Sequence, residues 1–258
     1  KFTISSVAYD NRIKLYKKYY IVAFILIVSM YLLTKFKNKI LNKPEYGFLI
    51  IAITFGSIFL TLVPNLTISS WDDEVHFATA YEAFSGKEYG ITESALAEIQ
   101  HTLNGTWRFN TLEEYNAFYK WLDSNNTIIV VKGTQDPTII FKEIAYWPSS
   151  LVIHIVKRLN CPFHIMYWLG RLANFITYII VIFFAIRKTP KFKKMFTIIG
   201  LLPTTLFLST QYHYDPYVSG FILLALAHLF NILYNDDNKN ILKDIGLFML
   251  FIVIGCNA

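Results

Sequence analysis

Charge is what this chain most lacks. Only 16% of its 258 residues are Asp, Glu, Lys or Arg, against about 25% in an ordinary soluble domain. A single soluble core with a wetted surface is thereby excluded. Cysteine is scarce too. Cys161 and Cys256 stand far apart with no zinc-type spacing, so neither a disulfide nor a structural zinc is expected. What is present is apolar: 54% hydrophobic and 17% aromatic residues, with a mean hydropathy of +0.40. Long uncharged runs alternate with short lysine-rich links, the pattern of an all-α membrane protein with several crossings. The formal net charge is +6. Its lysines gather in links between apolar runs, which fits loops facing anionic lipid and argues against nucleic acid as a partner. The abundance of Ile, Lys, Asn, Phe and Tyr points to an AT-rich bacterial genome. The chain starts without Met and stops inside an apolar run, Leu247 to Cys256, and is read as a piece of a longer protein.

Residues 1–18 carry an alternation of Phe2, Ile4, Val7 and Tyr9, the tail of a missing external domain or a loose end. Spans are expected at 19–34, 46–63, 163–186, 196–209, 217–234 and from 245 onward, about six crossings forming a helical bundle. Membrane helices 1–2 thus occupy 19–64, and helices 3–6 fall within 146–258. Between them, 65–145 is a polar, mainly helical insertion after the second span. It holds candidate helices at 70–85 and 93–103, a capping-box pattern at Thr111-Leu112-Glu113-Glu114 and a β-like run from Thr127 to Val131. Orientation follows from positive charge. The Lys35–Lys43 and Arg187–Lys194 links are the most basic and are placed in the cytoplasm. The insertion and the 210–216 link then lie outside, as does the N-terminus, despite Lys14, Lys17 and Lys18.

Chemistry concentrates in Ser70-Trp71-Asp72-Asp73-Glu74-Val75-His76-Phe77. On a helix, Asp72 and Asp73 lie four and three residues from His76, so carboxylate and imidazole share a face. Trp71, Val75, Ala78, Tyr81 and Phe84 form an apolar stripe. It would lay the helix on the bilayer with its acids toward a cleft, and Gly86 would close it. Carboxylate and histidine together offer a general base toward a hydroxyl, or a hard divalent cation beside a phosphate. The plainer alternative is that Ser70 caps the helix and the acids complement its N-terminal dipole. His213 and Asp215 fall on the same outer side, although Asp215 before Pro216 also fits a helix cap. Arg171 lies about two turns inside the third span. An arginine there is costly and marks either a functional residue or a helix-packing pair. Gly170 beside it would permit a close approach. Three Asn-x-Thr triplets, beginning at Asn65, Asn104 and Asn125, are matches expected by chance in an Asn-rich chain.

These motifs bear a resemblance. Asp72-Asp73-Glu74-Val75-His76-Phe77 is similar to the outer-loop pattern Asp-Glu-Pro-x-His-Phe of the bacterial membrane protein family catalogued as domain of unknown function 2142. Asp73 stands for the family's Glu, and Glu74 replaces a proline, as Trp71 does just before the pattern. Tyr146-Trp147-Pro148 resembles its Tyr-x-Pro stretch, and Gly170-Arg171-Leu172-Ala173-Asn174 its Gly-Arg-Leu-x-Asn signature. Leu202-Pro203 with Asp215 resembles a later pattern, with Tyr214 where the family has proline. The likeness covers roughly 46–255. It implies a bundle like that of the GT-C membrane glycosyltransferases, with Pro203 kinking the fourth span. The implied activity is transfer of a sugar from a polyprenyl-phosphate donor to a glycan, lipid or protein acceptor, outside the bacterial cytoplasmic membrane. Asp72, then Asp73, would be the catalytic base. The two together would hold any divalent metal, Mg or Mn. His76, Arg171, His213, Asp215 and Tyr146 would bind substrate, with Arg171 countering the leaving phosphate. The alternative is a non-catalytic protein of cell-envelope polysaccharide assembly or lipid-linked glycan transport, although the apolar spans leave little polar lining for a transport path.

Overall fold

The computed structural model describes residues 17–66, 72–84, 88–103, 111–124, 127–132 and 143–257. In chain order its elements are α1 (Lys17–Lys35), α2 (Lys37–Asn42), α3 (Pro44–Leu62), α4 (Asp73–Glu82), β1 (Glu88–Thr92), α5 (Glu93–Leu103), α6 (Leu112–Ser124) and β2 (Ile128–Lys132). They continue with α7 (Trp147–Arg158), α8 (Phe163–Lys188), α9 (Lys193–Gly200), α10 (Pro203–Leu208), α11 (Asp215–Tyr234) and α12 (Ile241–Cys256). Proline sets several of these starts. Pro44, Pro148, Pro203 and Pro216 each sit in a first helical turn, where the missing N–H would have had no partner and φ is already helical.

α8 is the helix around which the rest packs. Its 26 residues extend about 39 Å at 1.5 Å per residue and pass through two cores. Near its start, Phe163, Met166 and Tyr167 join an outer core with Phe77 and Tyr81 of α4 and Ile153 of α7. Farther along, Phe175, Ile179, Ile182 and Ile186 pack against Phe48 and Ala52 of α3 and Leu223 and Ala227 of α11. Ile176, Ile180 and Phe184 form an outward ridge, each close to half exposed, as a helix in lipid requires. The second core is tight. A Cβ on Gly56 would lie 1.9 Å from the Phe175 ring, so only glycine admits that ring against α3.

α1, α3, α8 and α11 are long and apolar enough to cross a membrane. Two of the expected spans differ. The run at 196–209 is not one helix: it divides at Leu201–Leu202 into α9 and α10. Pro203 has no N–H to donate and forces the preceding Leu202 out of helical geometry (ψ 125°), so the expected kink is a break. The Tyr178 hydroxyl donates to the Gly200 carbonyl at 2.9 Å, satisfying an acceptor beside that break. α12 begins at Ile241 rather than 245 and has 16 residues.

The polar insertion is mainly helical but contains a hairpin-like pair that the pattern showed only in part. β1 and β2 are antiparallel, with Glu88 opposite Lys132 and Thr92 opposite Ile128. Five residues with a central glycine left β1 below the threshold of a strand pattern. The first half of the capping box is present: Thr111 Oγ1 accepts from the Glu114 N–H at 3.1 Å. The apolar stripe expected for α4 is not its buried face. Val75 and Phe84 are each 47% exposed, and Asp73, His76, Phe77, Ala80 and Tyr81 point inward. α4 packs by this face on α7 and the start of α8. It ends at Glu82, with Phe84 in the left-handed region (φ 66°). The expected N-terminal strand, the Ser70 cap, Trp71 and the Gly86 stop lie outside the described residues.

Candidate functional site

Asp73 explains why α4 turns its acid inward. Its side chain is fully buried, which is tolerable only with hydrogen bonds to the charge. Tyr167 Oη donates to Oδ2 at 2.8 Å and the Tyr212 N–H to Oδ1 at 3.0 Å. One carboxylate thereby fastens α4 to α8 and to the 210–214 link. The Tyr212 hydroxyl in turn donates to the Tyr167 carbonyl at 2.9 Å. Gly170 provides the room, since a Cβ there would stand 2.1 Å from Tyr212 Oη. Its close approach is to a tyrosine ring rather than to another helix.

Arg171 is equally committed. It is fully buried. Its Nε donates to the Thr210 carbonyl at 2.6 Å, and Nη1 reaches the Val63 carbonyl (3.3 Å), the Pro64 carbonyl (3.1 Å) and Asn65 Oδ1 (2.9 Å). It also attracts the Asp73 carboxylate. Arg171 thus ties the exit of α3 to the link before α11, the packing role that its position left open. Asn65 holds this arginine, so the first Asn-x-Thr triplet has an internal task.

The pinned scaffold carries a second cluster, with buried His76 and Tyr146 beneath exposed Asp72 and Asp215. Asp72 is solvent-exposed in left-handed backbone (φ 56°) at the head of α4, and its carbonyl accepts the His76 N–H at 3.1 Å. His76 Nδ1 shares a 2.6 Å hydrogen bond with Tyr146 Oη and stacks on that ring, centroids 5.9 Å apart. The His213 ring is only 4.3 Å from it, and Tyr214 meets it edge-on at 5.4 Å. His213 Nδ1 lies 3.5 Å from Asp215 Oδ2, whose side chain is half exposed. Asp72, His76, Tyr146, His213 and Asp215 therefore meet in one place, drawn from three separate parts of the chain. A narrow crevice starts beside His213 and runs between α8 and α11, past Asn174, Tyr178 and Phe221.

Burial, then the neighbouring His213, pushes the His76 imidazole down to about 4, against a smaller upward pull from Asp72 and Asp215. Burial also raises the Tyr146 hydroxyl, helped by the nearby Tyr214, Glu143 and Asp215 charges. At neutral pH both are uncharged, and a single hydrogen bond joins Nδ1 and Oη. Between the ordinary value of 6.5 and about 4 the unfolded chain binds a proton that folded His76 refuses. Stability is therefore full above that window and falls through it on acidification, by on the order of 2–3 kcal/mol. The melting temperature in detergent should drop between pH 7 and pH 4, and less steeply in His76→Gln. Identical slopes for the two proteins would contradict this.

Asp72 and Asp73, expected to act as a pair, are separated by burial. Both Asp73 oxygens are engaged by Tyr167 and Tyr212, so the two acids do not fit a shared divalent cation. Among the described residues, no three His, Cys, Asp or Glu side chains group as a metal site. Arg171, expected to counter a phosphate, turns Nε and Nη1 to backbone carbonyls and the Asn65 side chain, while its Nη2 is buried with no hydrogen-bond partner among the described residues. The sequence reading missed Tyr167 and Tyr212 as the partners of Asp73. Tyr167 lies one helical turn before Arg171, on the same face, and that spacing was the available signal.

The fold and cluster define a polytopic helical membrane protein with a polar site built from three separate parts of the chain at one end of its bundle. The chain belongs to the family of predicted membrane proteins DUF2142, whose profile matches residues 55–254. No curated protein and no solved structure matches it.

Proposed function

We propose that this chain is a membrane glycosyltransferase, moving a sugar from a polyprenyl-phosphate donor to a cell-surface glycan, lipid or protein acceptor. The observation that carries the reading is the meeting of Asp72, Asp215, His76 and His213 at one end of an apolar bundle. That end is opposite the basic links, so the positive-charge rule orients it outside the bacterial cytoplasmic membrane. The GT-C-like character of the bundle is part of the same proposal.

The chemistry needs few parts. Asp72, exposed and free of a capping bond, accepts the proton of the acceptor hydroxyl. The new bond joins that oxygen to the sugar's anomeric carbon while the bond from that carbon to phosphate oxygen breaks. Polyprenyl phosphate leaves with the electron pair. His213, steadied beside Asp215, donates a hydrogen bond toward the departing phosphate. His76 and Tyr146 shape the floor and offer aromatic faces to the sugar. The crevice beside His213 leads toward the apolar part of the bundle, the direction a lipid tail would take.

The test is release of polyprenyl phosphate from polyprenyl-phosphate hexoses by the purified protein in nanodiscs, with cell-envelope glycans as acceptors. His213→Ala should lower turnover by on the order of tenfold or more, the loss typical of one charge-assisted contact. If the unaltered protein turns over none of these donors, the alternative of a non-catalytic role in envelope polysaccharide assembly takes its place.

A further inference from the structure

A second polar site lies at the other end of the bundle, where the basic links are. The ends of α8 and α11 and the start of α12 enclose an open bowl of about 480 Å3, lined almost wholly by polar side chains. That volume is within the roughly 300–1,000 Å3 of small-molecule sites, although those are usually more apolar. Its floor is Asp244, which is 2% exposed. Four donors converge on that carboxylate: Lys188 Nζ at 2.7 Å, His228 Nδ1 at 2.6 Å, Asn231 Nδ2 at 2.7 Å and Asn238 Nδ2 at 2.9 Å. The acid is thus fully spent, and it fixes Lys188 and the amide side chains in place.

The rim is different. Lys239 and Lys243 both face the bowl, and neither has an ion-pair partner among the described residues. Asp237 is the one opposing charge on the rim, and the groups facing the bowl remain net positive. Two ammonium groups with no ion-pair partner among the described residues, on the rim of a net-positive polar bowl, are complementary to a phosphate. The position is also where anionic headgroups gather, at the end of a bundle marked by lysine-rich links.

We propose that this bowl binds an anionic phosphate group through Lys239 and Lys243. Lipid headgroups and free phosphate share that chemistry. The site is separate from the proposed sugar-transfer cluster and does not depend on it.

The protein in nanodiscs of phosphatidylcholine alone, or with added phosphatidylglycerol, distinguishes the sources. Thermal stability is measured in each, and again in phosphatidylcholine with inorganic phosphate. Stabilisation by phosphatidylglycerol identifies a headgroup, and stabilisation by inorganic phosphate identifies a free phosphate. In either case Lys239→Gln/Lys243→Gln should weaken the apparent affinity roughly 30-fold, about fivefold for each lysine at such a surface. Lys37→Gln/Lys194→Gln removes the same charge from the neighbouring links and should retain the response. The proposal is overturned if neither probe stabilises the protein, or if both double variants lose the response equally.

Discussion

Asp72→Asn should lower sugar transfer by about 10²–10⁴-fold, the range for loss of a general base, while the melting temperature stays at that of the unaltered protein. The separation of the two effects follows from the backbone. Asp72 holds φ 56° and ψ 21° at the head of α4, a left-handed conformation that asparagine adopts about as readily as aspartate. Its side chain is exposed and makes no capping hydrogen bond, so the amide loses no native contact. What disappears is the negative charge, with its pull on His76 and its capacity to take a proton. Turnover from polyprenyl-phosphate hexoses, read beside a melting curve on the same preparation, provides the check. Full turnover in this variant would remove Asp72 as the base.

One residue further on, the expectation reverses. Asp73→Ala should destabilise the protein by about 3–5 kcal/mol, the scale for removing one partner from a buried charged network. The substitution leaves the Tyr167 hydroxyl and the Tyr212 N–H without their acceptor. It also leaves the buried Arg171 without the carboxylate that offsets its charge. Asp73→Asn keeps the shape and one acceptor oxygen but turns an NH2 toward the other donor, so a smaller loss of about 1–3 kcal/mol is expected. Melting temperature and the fraction surviving detergent extraction as a single species measure both. An Asp73→Ala variant that melts with the unaltered protein would refute the pinning role. The asparagine variant that remains folded should retain transfer, in contrast to Asp72→Asn.

Membrane character was the most legible property of the sequence, because long apolar runs report it directly. The proline-led starts at Pro44, Pro148 and Pro216 are local too, and fall within two residues of where the apolar runs place them. What was not legible is tertiary. The stripe Trp71-Val75-Ala78-Tyr81-Phe84 has helical period, but so does the set Asp73, His76, Phe77, Ala80 and Tyr81. Hydropathy favours the first. The structure selects the second, because Tyr167 and Tyr212, contributed from about 94 and 139 residues away, make a buried acid affordable. Likewise Pro203 marked a disturbance, but the tyrosine from α8 that satisfies the Gly200 carbonyl beside the break was not legible. Topology placed Asp72, His76, His213 and Asp215 on one side of the bundle, but not their meeting at one point, nor the diversion of Arg171 from it. The roles within the cluster were not legible either, since Asp72 and Asp73 are equivalent until their burial is known.

Arg171 also imposes an order on assembly. Synthesis delivers the chain from its N-terminus, so α8 enters the bilayer before Thr210 exists. An arginine at the centre of a span costs about 2.5–3.5 kcal/mol on insertion. Arg171 is nearer one end, about 12 Å from the helix start, where that cost is lower. The exit of α3, already across, offers the carbonyls of Val63 and Pro64 and the Asn65 side chain first. The Nε position stays unmatched until the link after α10 arrives with the Thr210 carbonyl. Docking of the link after α10 is therefore drawn to one point at this end of the bundle. The loop bearing His213 is placed by the same contact that matches the arginine's Nε.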